Sequence, residues 1–274
     1  MMKPVHLIRL FLLGFSLLLT ACGGNALDVD VSEIKADLQV ERFDIRLFGV
    51  PSSSPESAIG SIYSDYGDFF DIFNVYVINI GSASEKRYPS YLSMFINDPL
   101  NREVFEYTGK VFADMDGINT QLSDGFRHYL YHYPDSTLPR VVGYVSRFNQ
   151  GLFTVDRFVG VGLDQYLGSD CPYYNQMASP QYLTRNKVPE RVPVDVMMAW
   201  ATQIYPYNDS VDNVLNRMIH KGMLAWFVDA MYPQMEEYFL MAFSEDQMKW
   251  CRNIEKQMWT YLVEEKLLFS TDQM

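Results

Sequence analysis

Val141-Val142-Gly143-Tyr144-Val145-Ser146-Arg147-Phe148 is an apolar, β-branched run that reads as a strand. Asn149-Gln150-Gly151 behind it is turn chemistry, and Leu152 to Asp164 reads as a second strand. Two strands joined by so short a turn are expected to pair antiparallel. Gly160 and Gly162, two apart in the second strand, leave one face bare and favour close backbone approach there. This stretch decides the fold, because the sequence on both sides of it is helical in pattern.

Upstream, a strand-like segment carries Leu38 and Val40 before Arg42 and Phe43, and Ser54-Pro55 then opens a helix, since proline is tolerated at the first helical position. Ala58, Ile59, Ile62, Tyr63, Tyr66, Phe69, Phe70 and Phe73 follow at helical spacing. Asp98-Pro99 starts another helix with Leu100, Val104, Tyr107 and Val111. A third, after Asp116-Gly117, carries Leu122, Phe126, Tyr129 and Tyr133 and stops at Pro134. Downstream, residues 168–193 are rich in Pro, Tyr, Ser and Asn and form a loop by composition. Helices return at 193–205, 210–231 and 245–268, the last opened by a capping box of Ser244 and Gln247. Helices, a small antiparallel sheet and more helices make the fold α+β and mostly helical.

The amino terminus is a different kind of segment. Lys3 and Arg9 are basic, no acid precedes Asp28, and an apolar stretch from Leu10 to Leu19 ends at Thr20-Ala21-Cys22-Gly23. Those are the n-region, h-region and small-residue cut of a signal peptide. An apolar stretch of about 10 residues is too short for the ~20 that a spanning helix needs. Leu19-Thr20-Ala21-Cys22-Gly23 resembles a bacterial lipobox, in which the Cys22 thiol accepts a diacylglycerol before cleavage. Residues 1–21 are therefore expected to be removed, 22–36 to form a tether and 37–274 to form the domain. Gly23 after the cysteine favours the outer membrane, and the lack of an acidic run tilts the domain toward the periplasm.

Removing Lys3 and Arg9 with the leader leaves 20 bases against 34 acids, a balance of −14. Such a surface argues against nucleic acid and against a basic membrane-binding patch. An apolar share of 48% and an aromatic share of 15% fit a folded domain rather than a disordered chain. Cys171 and Cys251 follow Cys22, 80 residues apart; an exported protein permits a bridge, but free thiols are favoured in a chain large enough not to need a staple.

Candidate chemistry is sparse. His128 and His132, four apart on one helix, share a face and could approach one metal ion, but the zinc-peptidase pattern needs glutamate directly after the first histidine and Tyr129 stands there. His220 precedes Lys221 and Leu224, where a base and a second ligand would be required. No Gly-x-Ser-x-Gly elbow, glycine-rich phosphate loop or Cys-x-x-Cys pair occurs, and Glu236-Glu237 and Glu264-Glu265 read as solvated helix faces.

Five ordered stretches carry a resemblance: Val40-Glu41-Arg42-Phe43-Asp44; Phe126 to Pro134, leading to Pro139 and Ser146-Arg147-Phe148-Asn149; Val161 to Gly168; Ile219 to Pro233; and Trp250 to Glu255, continuing through Trp259 to Asp272. Together with the lipobox the chain resembles the gliding-motility lipoprotein GldB family of the Bacteroidota. The resemblance implies a fold similar to zincin metallopeptidases, with the helix that carries His-Glu-x-x-His in related families matching 210–231 and the edge strand near Gly160 to Asp164 flanking a former substrate cleft. His220 and Glu255 would be vestiges of a metal site that has lost its base and second histidine. It also implies association with gliding and type IX secretion. Family members continue past the Ser-Thr-Asp match, so a chain ending at Met274 is expected to be shortened there and to leave apolar surface open on its helical half.

The leading expectation is a non-catalytic envelope lipoprotein that uses a degenerate peptidase fold as an interaction scaffold, without catalytic residues, metal or cofactor. It would touch the membrane through Cys22 and bind envelope proteins. A zinc hydrolase would need at least three of His128, His132, His220 and Glu255 to converge. A glycan- or peptide-binding lipoprotein would need exposed rings among Trp200, Trp226, Trp250 and Trp259.

Overall fold

The computed structural model describes residues 25–51 and 55–271. The signal peptide 1–21, Cys22, Ser54 and Asp272 lie outside the described residues. The first half runs β1 (Val40–Arg42), α1 (Phe43–Phe48), α2 (Pro55–Tyr66), α3 (Asp68–Ile72) with a π-turn over Phe73–Val77, α4 (Tyr88–Asn97), α5 (Pro99–Val111) and α6 (Asp116–His132). Strands β2 (Arg140–Tyr144), β3 (Leu152–Val155) and β4 (Phe158–Gly162) follow, then α7 (Pro172–Gln176), α8 (Gln181–Thr184), α9 (Val192–Ile204), α10 (Val214–Met231), α11 (Glu237–Leu240) and α12 (Glu245–Glu264). Mostly helical α+β is what the pattern called for.

Helix starts obey local chemistry. Asp98 Oδ1 accepts from the Leu100 and Asn101 amides, each at 3.0 Å, with Pro99 at the first position of α5. At α12 the capping box closes in both directions, Gln247 N to Ser244 Oγ at 3.1 Å and Ser244 N to Gln247 Oε1 at 2.9 Å. That helix stops at Glu264, short of the expected 268, and Lys266 follows in the left-handed region at φ 55°. Helix α10 begins at Val214 rather than 210, because Asn213 accepts from the Asn216 amide and caps it there.

The sheet corrects the antiparallel expectation: it is mixed, in the order β1-β2-β4-β3. Strand β2 runs parallel to both neighbours, with Val40 opposite Val141 and Val141 opposite Val159. Only β3 and β4 are antiparallel. The run Leu152–Asp164 is therefore not one strand but a hairpin, folded at Asp156-Arg157 with Asp156 at φ 49°. Aspartate tolerates that left-handed conformation, which a two-residue hairpin turn requires. Asn149-Gln150-Gly151 closes no hairpin and instead carries the chain from the end of β2 past β4 to the sheet's edge.

Gly162 takes the close backbone approach expected of both glycines, whereas Gly160 takes aromatic rings instead. A Cβ on Gly160 would stand 2.6 Å from the Phe153 ring, and one on Gly162 would stand 2.3 Å from the Gln150 carbonyl oxygen. The core beneath is aromatic. Phe43 lies 5.1 Å from Tyr66, 5.4 Å from Phe69 and 5.1 Å from Phe73, all edge to face. Each such pair adds ~0.5–1.5 kcal/mol to burial itself, so the helical stripe of 59–73 is clamped to the start of the sheet by one ring.

Candidate functional site

Strand β3 ends the sheet and pairs only with β4. Helix α9 lies along it, and between the two runs an open groove of about 320 Å³ lined by Leu152, Phe153, Thr154, Asp195, Met198 and Thr202, among others. This corrects the placement drawn from the resemblance. Gly160 to Gly162 lies in β4, an interior strand, so the edge strand is β3. The helix beside that edge is α9; α10, within the expected 210–231, packs instead on α9 and α6.

One acid reaches the groove. Asp195 accepts from Tyr166 Oη at 3.0 Å and from Arg191 Nε at 2.9 Å. Burial pushes its carboxyl up, and the Arg191 charge opposes that shift. Arg191 also donates to the carbonyls of Phe239 and Leu240, and its guanidinium sits 5.3 Å from the centre of the Phe239 ring. Asp195 is therefore spent on fastening α9 to the α11 segment. With both carboxylate oxygens already bonded, it is a structural acid at the rim rather than a free base.

Asp164, just past β4, organises the loop that follows β2. Its fully buried carboxylate accepts from the Ser146 amide at 3.0 Å and the Phe148 amide at 2.6 Å. Arg147 and Phe148 both stand at positive φ, 59° and 64°, a conformation that costs a non-glycine residue energy and persists only where the surroundings enforce it. Gln165 Nε2 to the Phe148 carbonyl at 2.7 Å and the Tyr144 hydroxyl to the Gln150 carbonyl at 3.0 Å complete the enforcement. Burial raises the Asp164 carboxyl to about 6, against the two amide bonds, which lower it. The union of the two segments leaves one signal in the sequence, an acid directly after an apolar strand.

The histidines do not converge. His128 Nδ1 pairs with the Asp124 carbonyl at 3.0 Å, and desolvation with the nearby His128 charge lowers the neighbouring His132. His220 Nε2 pairs with the Tyr205 carbonyl at 2.8 Å, tying α10 to the end of α9, and Glu255 is exposed on α12. Among the described residues no three His, Cys, Asp or Glu side chains gather as a metal would require. Cys171, buried, and Cys251, half-buried, are free thiols. Of the four tryptophans, Trp200 is buried while Trp226, Trp250 and Trp259 are exposed.

A family model described as gliding motility protein GldB matches residues 24–274. The chain belongs to the GldB family. GldB membership associates it with gliding motility and, as a lipoprotein family, with the cell envelope. No curated protein and no solved structure matches the chain. A zincin likeness thus has no support, and the mixed GldB sheet with its groove at β3 and α9 stands on its own geometry. No helix among the described residues is long and apolar enough to cross a membrane.

Proposed function

We propose that this GldB-family chain is a lipid-anchored, non-catalytic scaffold of the gliding and type IX secretion apparatus, holding an extended segment of an envelope partner along β3. The observation that carries the reading is the terminal position of β3 above an open groove. An edge strand offers a row of main-chain donors and acceptors to an added strand, and side-chain pockets beside it select the sequence. The groove's wall of Leu152, Met198 and Thr202 suits alternating apolar and small side chains. Lipid on Cys22 holds the domain at the envelope, and Gly23 with the first charge at Asp28 favours the outer membrane, facing the periplasm.

Affinity purification of the lipidated chain from native envelope tests this against Thr154→Arg, which puts a long charged side chain at a groove-lining position. The account expects an envelope protein to co-purify with the unaltered chain and to be lost with the variant. Retention of every partner by Thr154→Arg, or stoichiometric zinc with chelator-sensitive peptide hydrolysis, overturns it.

A further inference from the structure

Helices α10 and α12 both leave large apolar side chains exposed. On α10, Ile219, Met223 and Trp226 recur at i, i+4 and i+7 and are 61%, 43% and 63% exposed. Such spacing puts them on one side of the helix. Helix α12 has 20 residues and fully buries only Met248. It leaves Trp250 and Tyr261 exposed on one side, and Trp259 exposed on the opposite one. Both helices pack on the short turn Leu267–Phe269, whose Phe269 is itself exposed, and the Val214 amide donates to the Ser270 carbonyl at 3.3 Å. The two helices thus meet at this turn, each with apolar side chains in water, and such surface marks a docking region.

The path of the amino-terminal chain names the occupant. Asn25 Nδ2 donates to the Pro233 carbonyl at 3.0 Å, and Gln234 Nε2 donates to Asp28, so the start of the described chain is pinned just past the end of α10. Glu237, a few residues on, pairs with Arg252 of α12. Cys22 precedes Asn25 by only three residues, a reach of about 11 Å at full extension. A lipid on Cys22 would therefore hold the bilayer surface near the carboxy-terminal end of α10. Tryptophan and tyrosine, apolar rings with one polar edge, suit the headgroup level of a membrane.

We infer that the exposed aromatic surface of α10 and α12 docks against the bilayer in which the Cys22 lipid is embedded, so that the domain is held at a fixed tilt rather than swinging on its tether. The inference rests on the anchor proposed above. Charge is not the driving force, since the chain past the leader carries −14. Apolar burial by the rings is, and it needs little intrinsic affinity because the tether keeps the bilayer at high local concentration.

The test uses the full lipidated protein in phosphatidylcholine vesicles, with and without brominated acyl chains, read by tryptophan fluorescence. The expected result is flotation with the vesicles and quenching of most of the exposed tryptophan emission by the brominated lipid. Trp226→Ser with Trp250→Ser should float equally and lose most of that quenching. In the Cys22→Ala form, the same two changes should weaken vesicle partition by about tenfold or more. Mixing in phosphatidylglycerol should not strengthen binding. Flotation without quenching overturns the docking and leaves the anchor standing, whereas failure of the lipidated chain to float overturns both. A dimer in sedimentation that shields the same rings, with no further change on vesicles, assigns the surface to a second copy and also overturns it.

Discussion

The Asp164 carboxylate holds the Phe148 amide at 2.6 Å, and Phe148 stands in the left-handed region at φ 64°. A buried acid on the strand β4 side thereby fixes a strained loop that begins at the end of β2. Removing it strands two buried N–H groups, each worth ~1–3 kcal/mol when unsatisfied. Asp164→Ala is expected to lower unfolding free energy by ~2–5 kcal/mol in urea titration at pH 4, where the carboxyl is protonated in the fold, and a loss below ~1 kcal/mol would show the loop to be held by its other contacts.

The same group makes stability depend on pH. Its carboxyl rises in the fold from an ordinary 3.8 to about 6, so the folded state binds the proton more tightly than the unfolded one. The stability it contributes is therefore full below pH 4 and is lost as pH rises through 6. Asp164→Asn keeps an oxygen for the two amides and has no charge to bury. Relative to Asp164→Asn, the parent should gain up to ~3 kcal/mol between pH 7 and pH 4. A difference that stays flat across that window would mean the carboxyl titrates normally.

Asp44 is wholly buried, and Arg42 meets it with two bonds, Nε to Oδ1 at 2.9 Å and Nη2 to Oδ2 at 2.7 Å. Breaking such a pair from one side leaves an uncompensated charge. Arg42→Met is expected to cost ~3–5 kcal/mol. Adding Asp44→Asn to it should recover part of the loss, and non-recovery in the double variant would assign the effect to the lost bond from Arg42 Nη1 to the Phe112 carbonyl instead.

Gly162 sits where a Cβ would press on a backbone oxygen, the Gln150 carbonyl, whereas at Gly160 the nearest atoms belong to the rings of Phe153 and Phe69. Rings can shift more readily than a carbonyl pinned by Tyr144. Both alanine variants should destabilise, with Gly162→Ala the worse and in the ~1–3 kcal/mol range of overpacking or above it. Thermal melts giving the reverse order would contradict the packing described.

Zinc is expected to leave the melting temperature unchanged, since ligand binding to the folded state alone would raise it. A rise abolished by His132→Ala would revive a metal role for the His128 and His132 pair.

Much of this was legible because it is local. Asp98-Pro99, Ser244 with Gln247, and the aromatic spacing of 59–73 each encode a helix within a few residues. The order of the sheet was not, because parallel pairing of Val40 with Val141 spans about a hundred residues and leaves no periodic mark. The hairpin at Asp156 was hidden by two apolar runs that read as one. Asp164 looked like the end of a strand, and its role needs two amides that lie 16 and 18 residues away. Nor could composition tell which tryptophans face water, since Trp200 and Trp226 sit in similarly apolar helices.

The central claim is that β3 holds a partner. A photoreactive side chain at Thr154 of the lipidated chain, irradiated in native envelope and mapped by mass spectrometry, addresses it most directly. The account predicts an adduct with an extended segment of an envelope protein, absent when the same group is placed at exposed Glu106 on α5. Equal labelling at the two positions, or none at Thr154, would contradict it.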